Sequence, residues 1–296
     1  MNPRTHTTAI LVISVILCSV LIIGGVWGAY IFDHAAPQGG PSTEQNESTS
    51  ASVSDEETTV PMPPQNEKPK KMIALTFDDG PSSTYTHEIL DLLEQYQAKA
   101  TFFVCGYQLR ESTKDELQRA ISLGCEIGNH SDNHKSLPGL SEEEIVKEIQ
   151  AANEKIAKLS GTDYRCSVYR PPYGAINREA AEVLLKNEIY MYPVLWSSDS
   201  RDWEYRKNYA DGKITREAAV KGAFDTVVSE VSEGSVILMH DIQSITPDVV
   251  ALILEKYTAE GYTFVTVSEL FGFEDMQDEE AYFQKYRSSD SITPIR

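Results

Sequence analysis

The stretch "MIALTFDDGPSS" (72–83) runs apolar residues straight into two adjacent carboxylates, Asp78 and Asp79. Neighbouring carboxylates repel each other and cost desolvation energy near a core, and a simple turn needs only one. Their presence implies a positive charge to hold. Of the six histidines, three fall where other apolar runs stop: His130 and His134 in "NHSDNH", and His240 in "LMHD". The four-residue spacing of His130 and His134 predicts one face of a helical turn, close enough to share a metal. Ser131 rather than Glu follows His130, so this is not the zinc-protease pattern, and a base has to come from elsewhere. With one of the two aspartates as third ligand, the set becomes His-His-Asp with positions open to water. Such a set suits zinc, and also cobalt, iron or manganese. The other aspartate then stands ready to take a proton from the water that the cation activates.

These residues need a scaffold that gathers strand ends. Seven β-rich runs can be read: "MIALTF", "ATFFVCG", "EIGN", "SVYRPP", "YMYPVLW", "SVILMHD" and "TFVTVSEL". Helix-period segments lie between them, at 88–96, 115–123, 142–159, 178–186, 217–231 and 248–260. In the third, Ser141 and Glu144 form a capping box, and Ile145, Ile149, Ala152, Ile156 and Leu159 share one face. Strand–helix alternation of this kind predicts an α/β fold with a parallel sheet, namely a distorted or incomplete (β/α) barrel of about seven strands. Its site belongs at the C-terminal ends of the strands. There the chain also places "RPPYG" (170–174) and "WSSDSRDW" (196–203), the latter carrying Asp199, Asp202 and Trp203.

In this order, "TFDDGPS", "HSDNH", "RPPYG", "DSRDW" and "LMH" resemble the five motifs of the polysaccharide deacetylase family, carbohydrate esterase family 4 with its NodB homology domain. The resemblance covers roughly residues 71–270. It implies that Asp78 is the catalytic base, and that Asp79, His130 and His134 are the metal ligands. It further implies that Arg170 orients Asp78, that the Tyr173 N–H donates to the oxyanion, and that His240 is the general acid supported by Asp202. Trp203 and Leu238 would line the pocket for the acetyl methyl group. Three features depart from the family's usual pattern without touching these positions: Cys105, Cys125 and a long segment at 204–215.

The remaining sequence bounds the setting. Residues 7–32 carry no Asp, Glu, Lys or Arg and are long enough to cross a bilayer. With Arg4 before them and no further Lys or Arg until Lys68, they predict a signal anchor with a cytoplasmic N-terminus. A cleaved secretion signal is the alternative. The expected organisation is an anchor at 1–33, a Pro/Ser/Thr/Glu-rich disordered tether at 34–68, the catalytic domain at 69–273 and a charged tail at 274–296. With 45 Asp+Glu against 26 Lys+Arg, nucleic-acid binding is disfavoured. No obligate protein partner is evident. Cys105, Cys125 and Cys166 have no metal-knuckle spacing and read as small buried hydrophobes. A barrel tethered outside the membrane meets the cell wall first. The expectation is a metal-dependent deacetylase of an extracellular polysaccharide, foremost peptidoglycan N-acetylglucosamine. Chitooligosaccharides, xylan esters, the N-acetylmuramic unit, a binding-only homologue and a hydrolase of non-sugar amides are the alternatives.

Overall fold

In the computed structural model, which describes residues 71–273, the run "MIALTFD" forms the central strand β1 (Met72–Asp78). Strands β2 (Ala100–Val104) and β7 (Val236–His240) pair with it in parallel on either side. Beyond β2 come β3 (Glu126–Asn129), β4 (Val168–Tyr169) and β5 (Tyr192–Pro193); beyond β7 comes β6 (Ser198–Asp199). The order is therefore β5-β4-β3-β2-β1-β7-β6, an incomplete barrel of seven parallel strands. An eighth strand, β8 (Thr263–Phe264), pairs with the first two residues of β1.

Two of the expected runs split. In "YMYPVLW" only Tyr192–Pro193 pairs with β4. The chain then leaves that edge: Val194 N–H still bonds to Tyr169 O, but Ser197 N–H bonds to Val236 O, and β6 continues along β7. One stretch of chain thus serves both edges of the open sheet, which is why the barrel is distorted. "TFVTVSEL" likewise gives two residues of strand and then a short helix. Thr266 and Glu269 form a capping box that starts this helix, and capping wins over β propensity.

The helices pack outside the sheet: α1 (Tyr85–Tyr96), α2 (Lys114–Ser122), α3 (Glu142–Ser160), α4 (Arg178–Lys186), α5 (Asp202–Ala210), α6 (Arg216–Glu230), α7 (Thr246–Ala259) and α8 (Val267–Phe271). In α3 the Ser141–Glu144 capping box forms as expected, with Ile145, Ile149, Ala152 and Ile156 buried. Helix α5 was not foreseen; the sequence there reads as a link.

Strand alternation sorts side chains into two layers. Ile73, Leu75 and Phe77 of β1 face outward and join the main apolar core beneath the helices, together with Phe102, Ile127, Ile237 and Met239. Ala74, Thr76 and Asp78 face inward, as do Leu238 and His240 of β7. Gly128 on the inner face of β3 is required by space, because a Cβ there would lie 2.5 Å from the Phe103 ring. Among the described residues no helix is long and apolar enough to cross a membrane. The span expected at 7–32, the tether and the charged tail lie outside the described residues.

Candidate active site at the barrel rim

Asp78 is the last residue of β1 and stands in register with His240, the last residue of β7. Behind them, Arg170 is the largest fully buried side chain and fills the barrel interior. Its Nη1 donates to Asp78 Oδ1 at 2.7 Å and to Thr76 Oγ1 at 2.8 Å. Nε and Nη2 donate to the carbonyls of Val194 and Leu195, at 3.1 and 2.9 Å, on the chain that crosses between the sheet edges. The guanidinium carbon sits 4.2 Å from the centre of the Phe103 ring. Burial lowers the pKa of this guanidinium, and the Asp78 carboxylate beside it opposes that shift. A buried charge held by this many partners fixes one orientation for Asp78.

Asp79, in the left-handed region at φ 74°, turns its carboxylate toward both histidines. Its Oδ1 is 3.5 Å from His130 Nε2 and 3.3 Å from His134 Nε2, while Asp78 Oδ2 is 3.6 Å from His130 Nε2. His130 Nδ1–H donates to the Arg170 carbonyl at 2.7 Å, which turns Nε2 toward the two carboxylates. Like-signed density at these separations fits a shared cation. Burial, and then the neighbouring His130, hold His134 below its ordinary pKa, the neutral form that a ligand needs.

The expected helical turn at 130–134 does not form. The segment is a loop, with Ser131 and His134 in the left-handed region at φ 62° and 53°. This loop, rather than helix periodicity, brings the two imidazole centroids to 4.9 Å. Helix α3 cradles it. Asn129 Oδ1 accepts from Ser131 N–H at 2.7 Å, and Asn129 Nδ2 donates to Ile149 O and Asn153 Oδ1. Glu148 accepts from Asn133 N–H at 2.8 Å. None of these supports was read from the sequence: apart from the local Asn129–Ser131 bond, each joins the loop to a helix 15 to 24 residues away.

On the other side of the rim, His240 Nδ1–H donates to Asp202 Oδ1 at 2.7 Å. The other oxygen of Asp202 accepts from His240 N–H at 2.8 Å and from Thr246 Oγ1 at 2.6 Å. Burial works against the imidazolium, but Asp202, with lesser help from Asp78 and Asp79, pushes His240 up to about 9. Burial likewise opposes the Asp202 charge, and His240 and Thr246 overcome it, holding Asp202 below its ordinary value. The next residue, Asp241, is buried under Gly80 and pushed up to about 7, chiefly by burial. Its Oδ2 accepts from Thr86 Oγ1, which in turn accepts from Ser82 N–H and so braces the loop after Asp79.

Tyr173 has φ 61° and a side chain that is 72% exposed, with its ring edge-on to His134 at 4.6 Å. The Gly174 and Ala175 N–H groups close the turn around it, whereas that of Tyr173 has no partner among the described residues. Trp203 is 48% exposed on α5, directly after Asp202, rather than part of the core. Leu238 is buried on β7 on the same side as His240. Asp199, also noted in the sequence, accepts from Arg201 N–H at the start of α5 and is held above its ordinary value by burial.

Two residues at the rim escaped the sequence reading. Cys105 and Cys125 are buried as expected and Cys166 partly so, and all three are free. The Cys105 thiol, however, lies 3.9 Å from Asp79 Oδ1 and 3.5 Å from His130 O. Asp79, Cys105 and His130 each offer a ligand atom within 4.8 Å of the others. Burial, reinforced by the charges of Asp79 and Asp78, raises the thiol far above its ordinary range. Tyr107 is half-exposed nearby, its phenol raised by burial and then by Cys105 and Asp79. Both lie on a loop zipped to the ligand loop: Gly106 N–H bonds to Ser131 O and Tyr107 N–H to Asp132 O. A Cβ on Gly106 would lie 1.9 Å from Asp132 Oδ1, so only glycine fits. Strand alternation could have found Cys105, since it falls two residues beyond the inward Phe103.

A parallel barrel with a His-His-Asp set, a second carboxylate and a protonated histidine at its rim defines a class of hydrolytic site. Comparison with known proteins narrows that class. The profile of the family Polysaccharide deacetylase matches residues 65–192. A peptidoglycan-N-acetylglucosamine deacetylase of Bacillus cereus is 36% identical over 215 residues, which is 71% of this chain and 91% of that protein. The peptidoglycan-N-acetylmuramic acid deacetylase PdaC of Bacillus subtilis is 39% identical over 201 residues, 68% of this chain and 39% of that protein. The structure of PdaC matches with a TM-score of 0.59 at 37% identity, covering 75% of this chain and 98% of the solved one. A family 4 acetyl xylan esterase from Clostridium thermocellum, solved with a cobalt ion, matches with a TM-score of 0.58 at 32% identity, covering 69% of this chain and 91% of that one. The chain belongs to the polysaccharide deacetylase family. It spans about two-fifths of the length of PdaC.

Proposed function

We propose that the chain is a metal-dependent N-deacetylase of cell-wall polysaccharide, acting on the N-acetylglucosamine units of peptidoglycan. The observation that carries this reading is the fixed tautomer of His130, whose Nδ1–H is given to Arg170 O and whose Nε2 faces Asp78 and Asp79. Asp79, His130 and His134 would hold a divalent cation, which would supply Lewis acidity to the acetamide carbonyl and the attacking water. Two nitrogens and one carboxylate oxygen suit Zn2+ best and also accept Co2+, Fe2+ or Mn2+.

The protein's own residues do the rest. Asp78, oriented by Arg170, takes the proton of the attacking water. The Tyr173 N–H, without a partner among the described residues, donates to the oxyanion. His240, charged at neutral pH beside Asp202, gives its proton to the departing amine, so acetate and a free amino sugar result. Trp203 and Leu238 bound the space for the acetyl methyl.

Acetate release from purified peptidoglycan, N-acetylchitooligosaccharide and acetylxylan tests the reading. Release should be greatest from peptidoglycan and abolished by a chelator and by Asp78→Asn. Activity that survives Asp78→Asn would defeat the assignment of the base, and no release from any glycan would support a binding-only homologue. The similarity to PdaC favours a second reading, deacetylation of the N-acetylmuramic unit. Mass spectrometry of muropeptides after digestion distinguishes the two sugars. The apolar run at 7–32 supports attachment to the membrane with the barrel outside, and protease shaving of intact cells tests that placement.

A further inference from the structure

We infer that Cys105 is a fourth protein donor to the cation of the Asp79–His130–His134 cluster, engaged by thiophilic metals and left free by harder ones. The inference rests on the cation reading of that cluster but not on the identity of the glycan. It starts from the separations between donor atoms. With bonds of about 2.0–2.1 Å to nitrogen or oxygen, the edge of a tetrahedral site is about 3.4 Å. With a bond of about 2.3 Å to sulfur, the oxygen–sulfur edge is about 3.6 Å. Asp79 Oδ1 stands 3.5 and 3.3 Å from the two Nε2 atoms and 3.9 Å from Cys105 Sγ. The thiol is therefore a few tenths of an ångström from a ligand edge to Asp79 Oδ1, and its sulfur lies within 4.8 Å of the ligand atom of His130 as well.

The surroundings favour the sulfur over its rival. Asp78 Oδ2 is also near, at 3.6 Å from His130 Nε2, but the carboxylate is already tied to Arg170 through Oδ1. As a thiol Cys105 makes long contacts to Asp79 Oδ1 and His130 O, and its side chain also meets the Tyr107 phenol. Its backbone is held firmly, since Cys105 N–H bonds to Gly80 O and the next residue bonds to the ligand loop. Loop 105–107 and loop 130–134 thus move as one, and the sulfur stays with the ligands.

Coordination is balanced without a redox partner. The S–H proton leaves to solvent, the sulfur lone pair forms the bond to the cation, and no electron is transferred. On a thiophilic cation such as Cd2+, Co2+ or Zn2+ the sulfur would join the donor set, and water would enter by expansion of that set to five ligands. On Mn2+, which prefers oxygen ligands, sulfur stays off and the position stays open to water.

The test uses the full-length chain, wild type against Cys105→Ser and Cys105→Val, titrated with Co2+ and read by absorption. Wild type should show visible cobalt d–d bands together with a near-ultraviolet sulfur-to-cobalt charge-transfer band. Both variants should keep the d–d bands and lose the charge-transfer band, and their Cd2+ affinity should fall by about tenfold or more. A wild-type spectrum with d–d bands and no charge transfer, or variants that keep the charge transfer, overturns the role of Cys105 and leaves the cation site standing. Absence of d–d bands in wild type overturns the cation reading and this inference together. Cobalt-edge X-ray absorption of the wild type needs no substitution: one sulfur neighbour supports the inference, and none overturns it.

Discussion

The rim holds two clusters built from the same residue types, aspartate and histidine, and they do opposite things. In Asp202–His240 every polar atom between the partners carries a hydrogen: Nδ1–H at 2.7 Å, the His240 N–H at 2.8 Å and the Thr246 hydroxyl at 2.6 Å. In Asp79–His130–His134 the ring nitrogens face the carboxylates without a close hydrogen bond. His130 has turned its N–H to a carbonyl, and the facing atoms stand 3.3 to 3.5 Å apart, too far for hydrogen bonds. The first cluster stores a proton and the second wants a cation. Composition does not decide between these chemistries. The position of one ring proton does, and the backbone carbonyl of Arg170 sets it.

The sharpest break of this comparison is His130→Ala. It removes one of the two imidazole donors, so bound Zn2+ in the purified protein should fall sharply and turnover should fall on the order of 10⁴-fold. Metal analysis alongside acetate release checks both. His240→Asn comes next. Loss of the proton donor should lower turnover by about 10²–10³-fold while metal content stays at the wild-type level. If the His240 variant emptied of metal, the two clusters would be one, and the division of roles would fail.

This division was partly legible in the sequence. Asp78, Asp79, His130, His134 and His240 stood out because each ends an apolar run, and a strand end is a local signal. Arg170 and Asp202 were placed by resemblance, and their partners follow from packing across the barrel. What stayed hidden has a common cause. The left-handed backbone at Asp79, Ser131, His134 and Tyr173 falls on residues other than glycine, where tertiary contacts override local preference. The seven-residue run "YMYPVLW" gave no hint that it leaves one sheet edge for the other, because both halves are equally apolar. Cys105 was read as a buried hydrophobe; its burial is as expected, while its neighbours could be known only from the fold.

A third substitution sharpens the comparison through pH. His240 is raised to about 9 against an ordinary value of 6.5, with Asp202 the largest raising influence. A group raised in the folded state contributes stability that is full below the unfolded pKa, here 6.5, and is lost as pH rises through 9. A cation in the adjacent cluster offsets the parts due to Asp78 and Asp79, so the alkaline limb of turnover should fall somewhat below 9. Asp202→Asn removes the main raising influence and keeps the burial that lowers it. The limb should move to the acid side of neutrality, turnover at pH 8 should drop by about tenfold or more, and the decline in urea stability between pH 6.5 and 9 should vanish. An unmoved limb would mean that another group gives the proton.

The smallest expected effect is the most discriminating, because its sign is opposite. Thr246→Val deletes the hydroxyl that donates to Asp202 Oδ2 and keeps the side-chain volume. Asp202 still accepts from His240 twice and from Trp203 N–H, so the pair persists. With one donor fewer, its charge is less dispersed and draws the His240 proton more strongly. The alkaline limb should therefore move upward, by less than about one unit, where Asp202→Asn moves it downward. Stability should fall by about 1.5–3 kcal/mol, the usual cost of a lost hydrogen bond to a charged group. Turnover at neutral pH should change by only about twofold, since His240 is already protonated there. Cobalt d–d bands should be unchanged, because Thr246 makes no contact with the cation ligands. A shift in those bands would show that the proton-storing cluster and the cation cluster share their electrostatics, and the contrast between them would then be one of degree.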